Sequence, residues 1–276
     1  MSKPTQQKID ELNTKAKIIR RHIVEMTGRA NSGHPGGSLS ATDIITVLYF
    51  YKMKIDPKRP EWEERDRFVL SKGHAAPALY STLAESGYFP VSYLKTLRQI
   101  GSSLQGHPDM LSLPGIEMTT GSLGQGLSAA VGMALGSRMD NKSYRVYCVI
   151  GDGETQEGQI WEAAMTAGHH KLDNLLLILD HNKLQIDGKV EDIKGLEPLS
   201  KKWDAFRWNV IDGVDGHNIK ALITAMEEAE KVKGKPTVII AETVKGKGVS
   251  FMEWNNSFHG KAPSKEEIEK ALKEFE

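Results

Sequence analysis

Short, dense apolar runs alternate along this chain with longer stretches in which apolar residues return every three or four positions. The runs Arg67–Leu70, Val146–Ile150, Leu175–Leu179, Asn209–Ile211 and Thr237–Ala241 predict strands. The periodic stretches Gln7–Glu25, Ala41–Tyr51, Ala75–Ser86, Gly124–Arg138, Gly158–Gly168 and Ile219–Val232 predict helices, because a period near 3.6 lines up one apolar face. Their alternation predicts the α/β class, a mostly parallel sheet flanked by helices. Ser264 and Glu267 form a capping-box pattern for a final helix ending near Phe275, and the charged Lys265–Glu276 run reads as its solvated face. No internal repeat or low-complexity linker interrupts the pattern, so residues 1–276 read as a single domain with short helical extensions at its ends.

Composition narrows the classes of partner. Lys and Arg number 36 and Asp and Glu number 36, so no net field draws the whole molecule to nucleic acid or a membrane. Any anion site has to be local. Cys148 lies inside a strand run and has no intrachain partner; it reads as a small buried hydrophobe in a reducing cytoplasm. Met1–Leu12 is polar, without an apolar signal core, and no stretch reaches the length of a membrane span.

The segment from Tyr147 to Asn182 carries the most chemistry. One strand runs straight into Gly151-Asp152-Gly153, and the next delivers Asp180-His181-Asn182. Parallel sheets bind ligands at the carboxyl ends of their strands, where the following helix offers free backbone N–H groups to an anion. Asp152 and Asn182 are 30 residues apart, about one βαβ unit, so their oxygens can meet around one cation. A hard divalent ion would take the Asp152 carboxylate, the Asn182 amide, the Leu184 carbonyl and two phosphate oxygens, which suits Mg²⁺. Read alone, Gly-Asp-Gly is more often a strand-to-helix turn with Asp152 as a cap, and it is Asn182 and the adjoining strands that reverse this reading.

His34, His74, His107 and His259 each stand beside glycine in predicted loops. Glycine admits close backbone approach, and imidazole can donate to a phosphate or exchange a proton near neutral pH. The ligand spacings of a zinc site are absent from the sequence. Gly121, Ser122 and Leu123 open a helix with flexible backbone that a flat ring could approach, whereas Gly126, Ala129, Ala130 and Gly132 read as helix packing. Position alone favours solvent for Lys72 and Lys245 and for Glu157 and Glu162, although Lys245 lies in a glycine-punctuated loop after a strand.

Seven motifs in order resemble the N-terminal half of a transketolase: Asn31–Gly37, Ser71–Ala75, Gln105–Asp109, Thr119–Leu127, Gly151–Glu154, Asn182–Leu184 and Phe258–Gly260. The resemblance implies the thiamine diphosphate-binding fold and ketol transfer between sugar phosphates. By residue it implies a metal site at Asp152, Asn182 and Leu184 for Mg²⁺, or another divalent cation such as Ca²⁺ or Mn²⁺. Cofactor contacts would come from His74, Gly121, Ser122, Leu123, Gly153, Glu154, Asn182, Lys245 and His259. His34, His107 and His259 would touch the sugar. Glu157 and Glu162 would sit at a subunit contact that couples paired sites. Gly37 departs from the pattern, since some transketolases place a serine contact there; Ser38 is adjacent.

Transketolase subunits are usually more than twice this long, their remainder carrying the pyrimidine-binding module. The expected partner is therefore a separate C-terminal transketolase subunit in an α2β2 heterotetramer. Alternatives are another thiamine diphosphate enzyme, of the deoxyxylulose-phosphate synthase or ketoacid dehydrogenase type, and a non-catalytic cofactor-binding scaffold. Gly-His-Pro at both His34 and His107 favours transketolase.

Overall fold

The computed structural model describes residues 4–276, leaving the first three residues of the polar Met1–Leu12 segment outside it. Five strands, β1 (Arg67–Leu70), β2 (Val146–Gly151), β3 (Leu175–His181), β4 (Asn209–Asp215) and β5 (Thr237–Glu242), form one sheet in the order β1-β2-β3-β5-β4, all parallel. The helices are α1 (Gln6–Ala30), α2 (Pro35–Val47), α3 (Ala76–Ser86), α4 (Gln125–Met139), α5 (Gly158–His169), α6 (Val190–Lys194), α7 (Leu199–Ala205), α8 (Ile219–Lys231) and α9 (Lys265–Lys273).

The inner strands are apolar on both faces because both are covered. Tyr147, Val149, Leu176, Ile178 and Ile239 pack with α1, α2, α3 and α8. Cys148, Ile150, Leu175, Leu177, Leu179 and Ile240 pack with α4, α5 and α7. Edge strand β4 is largely solvated and carries an irregularity between Ile211 and Val214, so its apolar signal fades early. The predicted strand stops at Ile211, whereas pairing with β5 runs on to Asp215.

Helix α2 begins at Pro35, six residues ahead of the predicted Ala41, and its last turn, Leu48–Lys52, widens into a π-helix. All thirteen of its residues are buried, so it has no polar face for a periodic reading to detect. Its glycines allow close packing instead. A Cβ at Gly36 would lie 2.9 Å from the Phe258 carbonyl and 3.2 Å from the Lys245 side chain, and one at Gly37 would lie 3.1 Å from His74 Nε2. The capping box at Ser264 and Glu267 is present, with the final helix ending at Lys273. Among the described residues no helix is long and apolar enough to cross a membrane.

Candidate functional site

The carboxyl ends of β1, β2, β3 and β5 surround a cavity of about 330 Å³, lined by His34, His74, His107, Gly121, Leu123, Asp152, Gly153, Glu154, Asn182, Leu184, Lys245 and His259 among others. Ser122 is exposed and outside this lining. A larger cavity of about 640 Å³ opens on the far side of Leu184. His181 and Lys183 on its wall are paired with Glu242, and none of the four glycine-flanked histidines, nor Asp152 or Asn182, lines it, so the smaller cavity is the candidate site.

Asp152 leaves β2 with its side chain accepting from Gly153 N–H at 2.7 Å and Lys183 N–H at 2.5 Å. This brings its carboxylate against the Asn182–Leu184 turn. Burial, then the charge of Asp180, raises its pKa to about 6, a conflict that a cation would relieve. Asn182 Oδ1 accepts from Leu184 N–H at 3.1 Å, and the Leu184 carbonyl accepts from the Lys245 ammonium at 3.1 Å. One carboxylate, one amide and one carbonyl on adjoining turns fit a hard, oxygen-seeking divalent ion. Among the described residues no three His, Cys, Asp or Glu side chains group as metal ligands.

Glu154 is 2 % exposed and ties three turns together, accepting from Ser71 Oγ at 2.5 Å, Gly124 N–H at 2.9 Å and Gly151 N–H at 3.1 Å. Both lysines assigned to solvent by position are buried, at 1 % exposure each. Lys72 pairs with Asp180 and donates to the Gly37 carbonyl at 3.0 Å. Burial, followed by the charge of Lys72, lowers the Lys245 pKa to about 8. Asp180 was missing from the sequence-derived set. It also accepts from Ser40 and Thr243 at the floor of the site, and its only sequence signal is an acid ending an apolar strand.

The four glycine-flanked histidines converge. His34 lies 5.5 Å from both His74 and His259 and 6.2 Å from His107, and His74 stacks on His259 at 5.1 Å. Lys245 donates to His259 Nδ1 at 2.7 Å, leaving the ring proton on Nε2. Buried His34 Nδ1 has no partner among the described residues. Burial, then Arg98, lowers the His34 pKa to about 4, and burial, then Lys245, lowers that of His259 to about 3. His74 and His107 are lowered chiefly by burial as well. The cluster is thus neutral at physiological pH, free to accept and donate.

These depressed values carry a stability consequence. The unfolded chain takes up protons below about pH 6.5 while the folded His34 and His259 do not, so stability is full above that pH and falls as it drops towards about 4. Urea unfolding across this window should show a shallower acid loss for His34→Asn or His259→Asn than for the natural chain. Parallel slopes would contradict it.

Other sequence-derived residues divide. Ser38 Oγ turns back to the His34 carbonyl at 2.7 Å and is fully buried, so it does not replace the serine missing at Gly37. Gly126 packs on Ser71 and Ala130 lies in the core, as helix packing requires, whereas Gly132 faces open space. Glu157 and Glu162 are both exposed, Glu157 at the cavity edge.

The parallel sheet gathers carboxylate, amide and carbonyl oxygens, two buried lysines and four neutral histidines at its strand ends, chemistry complementary to a bound anion. Residues 12–276 match the family described as transketolase, thiamine diphosphate binding domain, and the chain belongs to the transketolase family. It is 50% identical over 272 residues to the 6-deoxy-6-sulfo-D-fructose transketolase subunit SqwG of Clostridium sp. (strain MSTE9), covering 99% of this chain and 98% of that protein. It is 42% identical over 266 residues to an apulose-4-phosphate transketolase subunit of Phocaeicola vulgatus, covering 96% and 94%. Among solved structures, transketolase from Campylobacter jejuni aligns with a TM-score of 0.91 at 37% identity. That match covers 96% of this chain and 43% of the larger enzyme, so the chain spans less than half of it.

Proposed function

We propose that this chain is the diphosphate-holding subunit of a two-chain transketolase, and that a C-terminal subunit supplies the pyrimidine-binding half. Together they would move a two-carbon ketol unit from a ketose phosphate to an aldose phosphate in the cytoplasm, as an α2β2 assembly. The observation that carries this reading is the convergence of four neutral imidazoles beside the Asp152–Asn182 turns. Relatives named as subunits that match this chain over nearly their full length support the division into two chains. The exposed apolar side chains Met110, Leu111, Ile186 and Trp254 suit a surface covered by another chain.

In this reading Asp152, Asn182 and the Leu184 carbonyl hold Mg²⁺, or Ca²⁺ or Mn²⁺ in its place. His74, Gly121, Ser122, Leu123, Gly153, Glu154, Asn182, Lys245 and His259 receive thiamine diphosphate. When bound, that cofactor supplies the electron sink of the reaction. His34 and His107 hold donor hydroxyls, for which neutral rings offer both a donor and an acceptor. His259, whose Nδ1 is occupied by Lys245, moves a proton at Nε2. Among the described residues Arg98 bonds only neutral oxygens, Ser32 Oγ at 3.1 Å and the Gly106 carbonyl at 3.5 Å, and its charge helps keep His34 and His107 neutral. Glu157 and Glu162 couple paired sites across the assembly.

Reconstitution tests this directly. The purified chain should show little or no ketol transfer with thiamine diphosphate and Mg²⁺, and adding a separately expressed C-terminal transketolase subunit should restore turnover. Full activity of the isolated chain, or inactivity of the assembled pair with every ketose donor, would overturn the proposal.

A further inference from the structure

A second buried charge cluster lies outside the cavity and reaches the Lys245 loop from behind. Asp43 of α2 is 3 % exposed and accepts from Arg20 of α1 through Nη1 at 3.1 Å and Nη2 at 2.5 Å. His217, just after β4, meets the same carboxylate through Nδ1 at 2.8 Å. Its other ring nitrogen, Nε2, accepts the Val244 backbone N–H at 2.8 Å. A peptide N–H can only donate, so Nε2 is bare and the proton resides on Nδ1, pointed at Asp43. Arg20 also uses Nε, donating to the Lys247 carbonyl at 3.2 Å.

Val244 and Lys247 bracket Lys245. The intervening backbone is fastened to α2 as well, where Gly246 N–H donates to the Gly36 carbonyl at 3.0 Å. The Lys245 ammonium emerges from this bracket to reach the Leu184 carbonyl and His259 Nδ1. Burial alone would raise the Asp43 pKa, but Arg20 and His217 hold it below the ordinary carboxylate range, so the anion persists and orients the imidazole.

We infer that His217, oriented by the Asp43–Arg20 ion pair, is a positioning residue that presets the Lys245 loop for the cofactor's diphosphate. The inference rests on the functional reading above, which places Lys245 at that diphosphate. A loop held before binding need not be ordered at the moment of binding, so the relay acts on cofactor affinity rather than on turnover. Outer partners that orient the ligands of a metal change affinity by about tenfold to a hundredfold, and an effect of the same order is expected here.

The tautomer is tested on the chain alone with ¹⁵N-labelled histidine. His217 should report a protonated Nδ1 and a bare Nε2, and the opposite tautomer would overturn the inference. In the complex with the partner subunit, thiamine diphosphate affinity is then measured with Mg²⁺ by calorimetry. His217→Asn keeps a donor near Asp43 but loses the acceptor for Val244, and should weaken affinity about tenfold to a hundredfold, with kcat at saturating cofactor within about twofold. His217→Gln, which places an amide oxygen near the Nε2 position, should recover most of the affinity. Unchanged affinity in the Asn variant, equal losses in Asn and Gln, or a kcat loss that saturation does not cure would each remove the inference alone. Natural complex that binds no thiamine diphosphate would remove the functional reading and this inference with it.

Discussion

Replacing Asp152 with Ala should abolish the Mg²⁺ dependence of thiamine diphosphate binding and lower ketol transfer by the reconstituted complex on the order of a thousandfold. Asp152 is the one charged member of the proposed metal set, and Asn182 and Leu184 offer only neutral oxygens. Its carboxylate is held between two turns by Gly153 and Lys183 N–H groups, in a place where burial and Asp180 already oppose its charge. A divalent ion resolves that opposition and the repulsion towards a diphosphate at once. Without the carboxylate, the cation has no anionic anchor in the protein. Calorimetry with and without Mg²⁺, with circular dichroism as a check on folding, measures the effect. Undiminished metal-dependent binding would move the metal elsewhere.

A Lys72→Met chain should lose about 3–5 kcal/mol of stability in urea. Lys72 is 1 % exposed and Asp180 wholly buried, so the substitution strands a carboxylate in the interior with neutral donors alone, the hydroxyls of Ser40 and Thr243 and the Asn182 amide at 3.4 Å. In the natural chain burial would raise the Asp180 pKa, but Lys72 and those hydroxyls hold it below its ordinary value. Removing the ammonium releases the upward pull. The loss should therefore shrink at acid pH, where Asp180 protonates, and the double variant Lys72→Met/Asp180→Asn should recover most of it. A double variant no more stable than the single one would show that the pair is not the cause.

Local signals in the chain marked β1 at its true bounds and the other strands within a few residues, because an apolar run between turn residues is a property of neighbours. They missed the first turns of α2, which is buried all round and filled with glycine by the needs of Lys245 and His74 rather than by helix propensity. The glycine-flanked pattern drew attention to four histidines, and the structure brings those four together. His217 stands beside Gly216 in the same way and was passed over, since nothing nearby names its partner.

What the sequence determined by itself was the α/β alternation, the two turns after β2 and β3, and the motifs that place the chain in its family. Those are matters of spacing along the backbone. Only the tertiary structure decided which charges are interior: Lys72 meets Asp180 from 108 residues away, Ser40 meets it from 140, and His217 meets Asp43 from 174. The same lysine is solvated or buried according to what the sheet carries opposite it, and the energy of a charge depends on that surrounding dielectric and partner, which no local window contains.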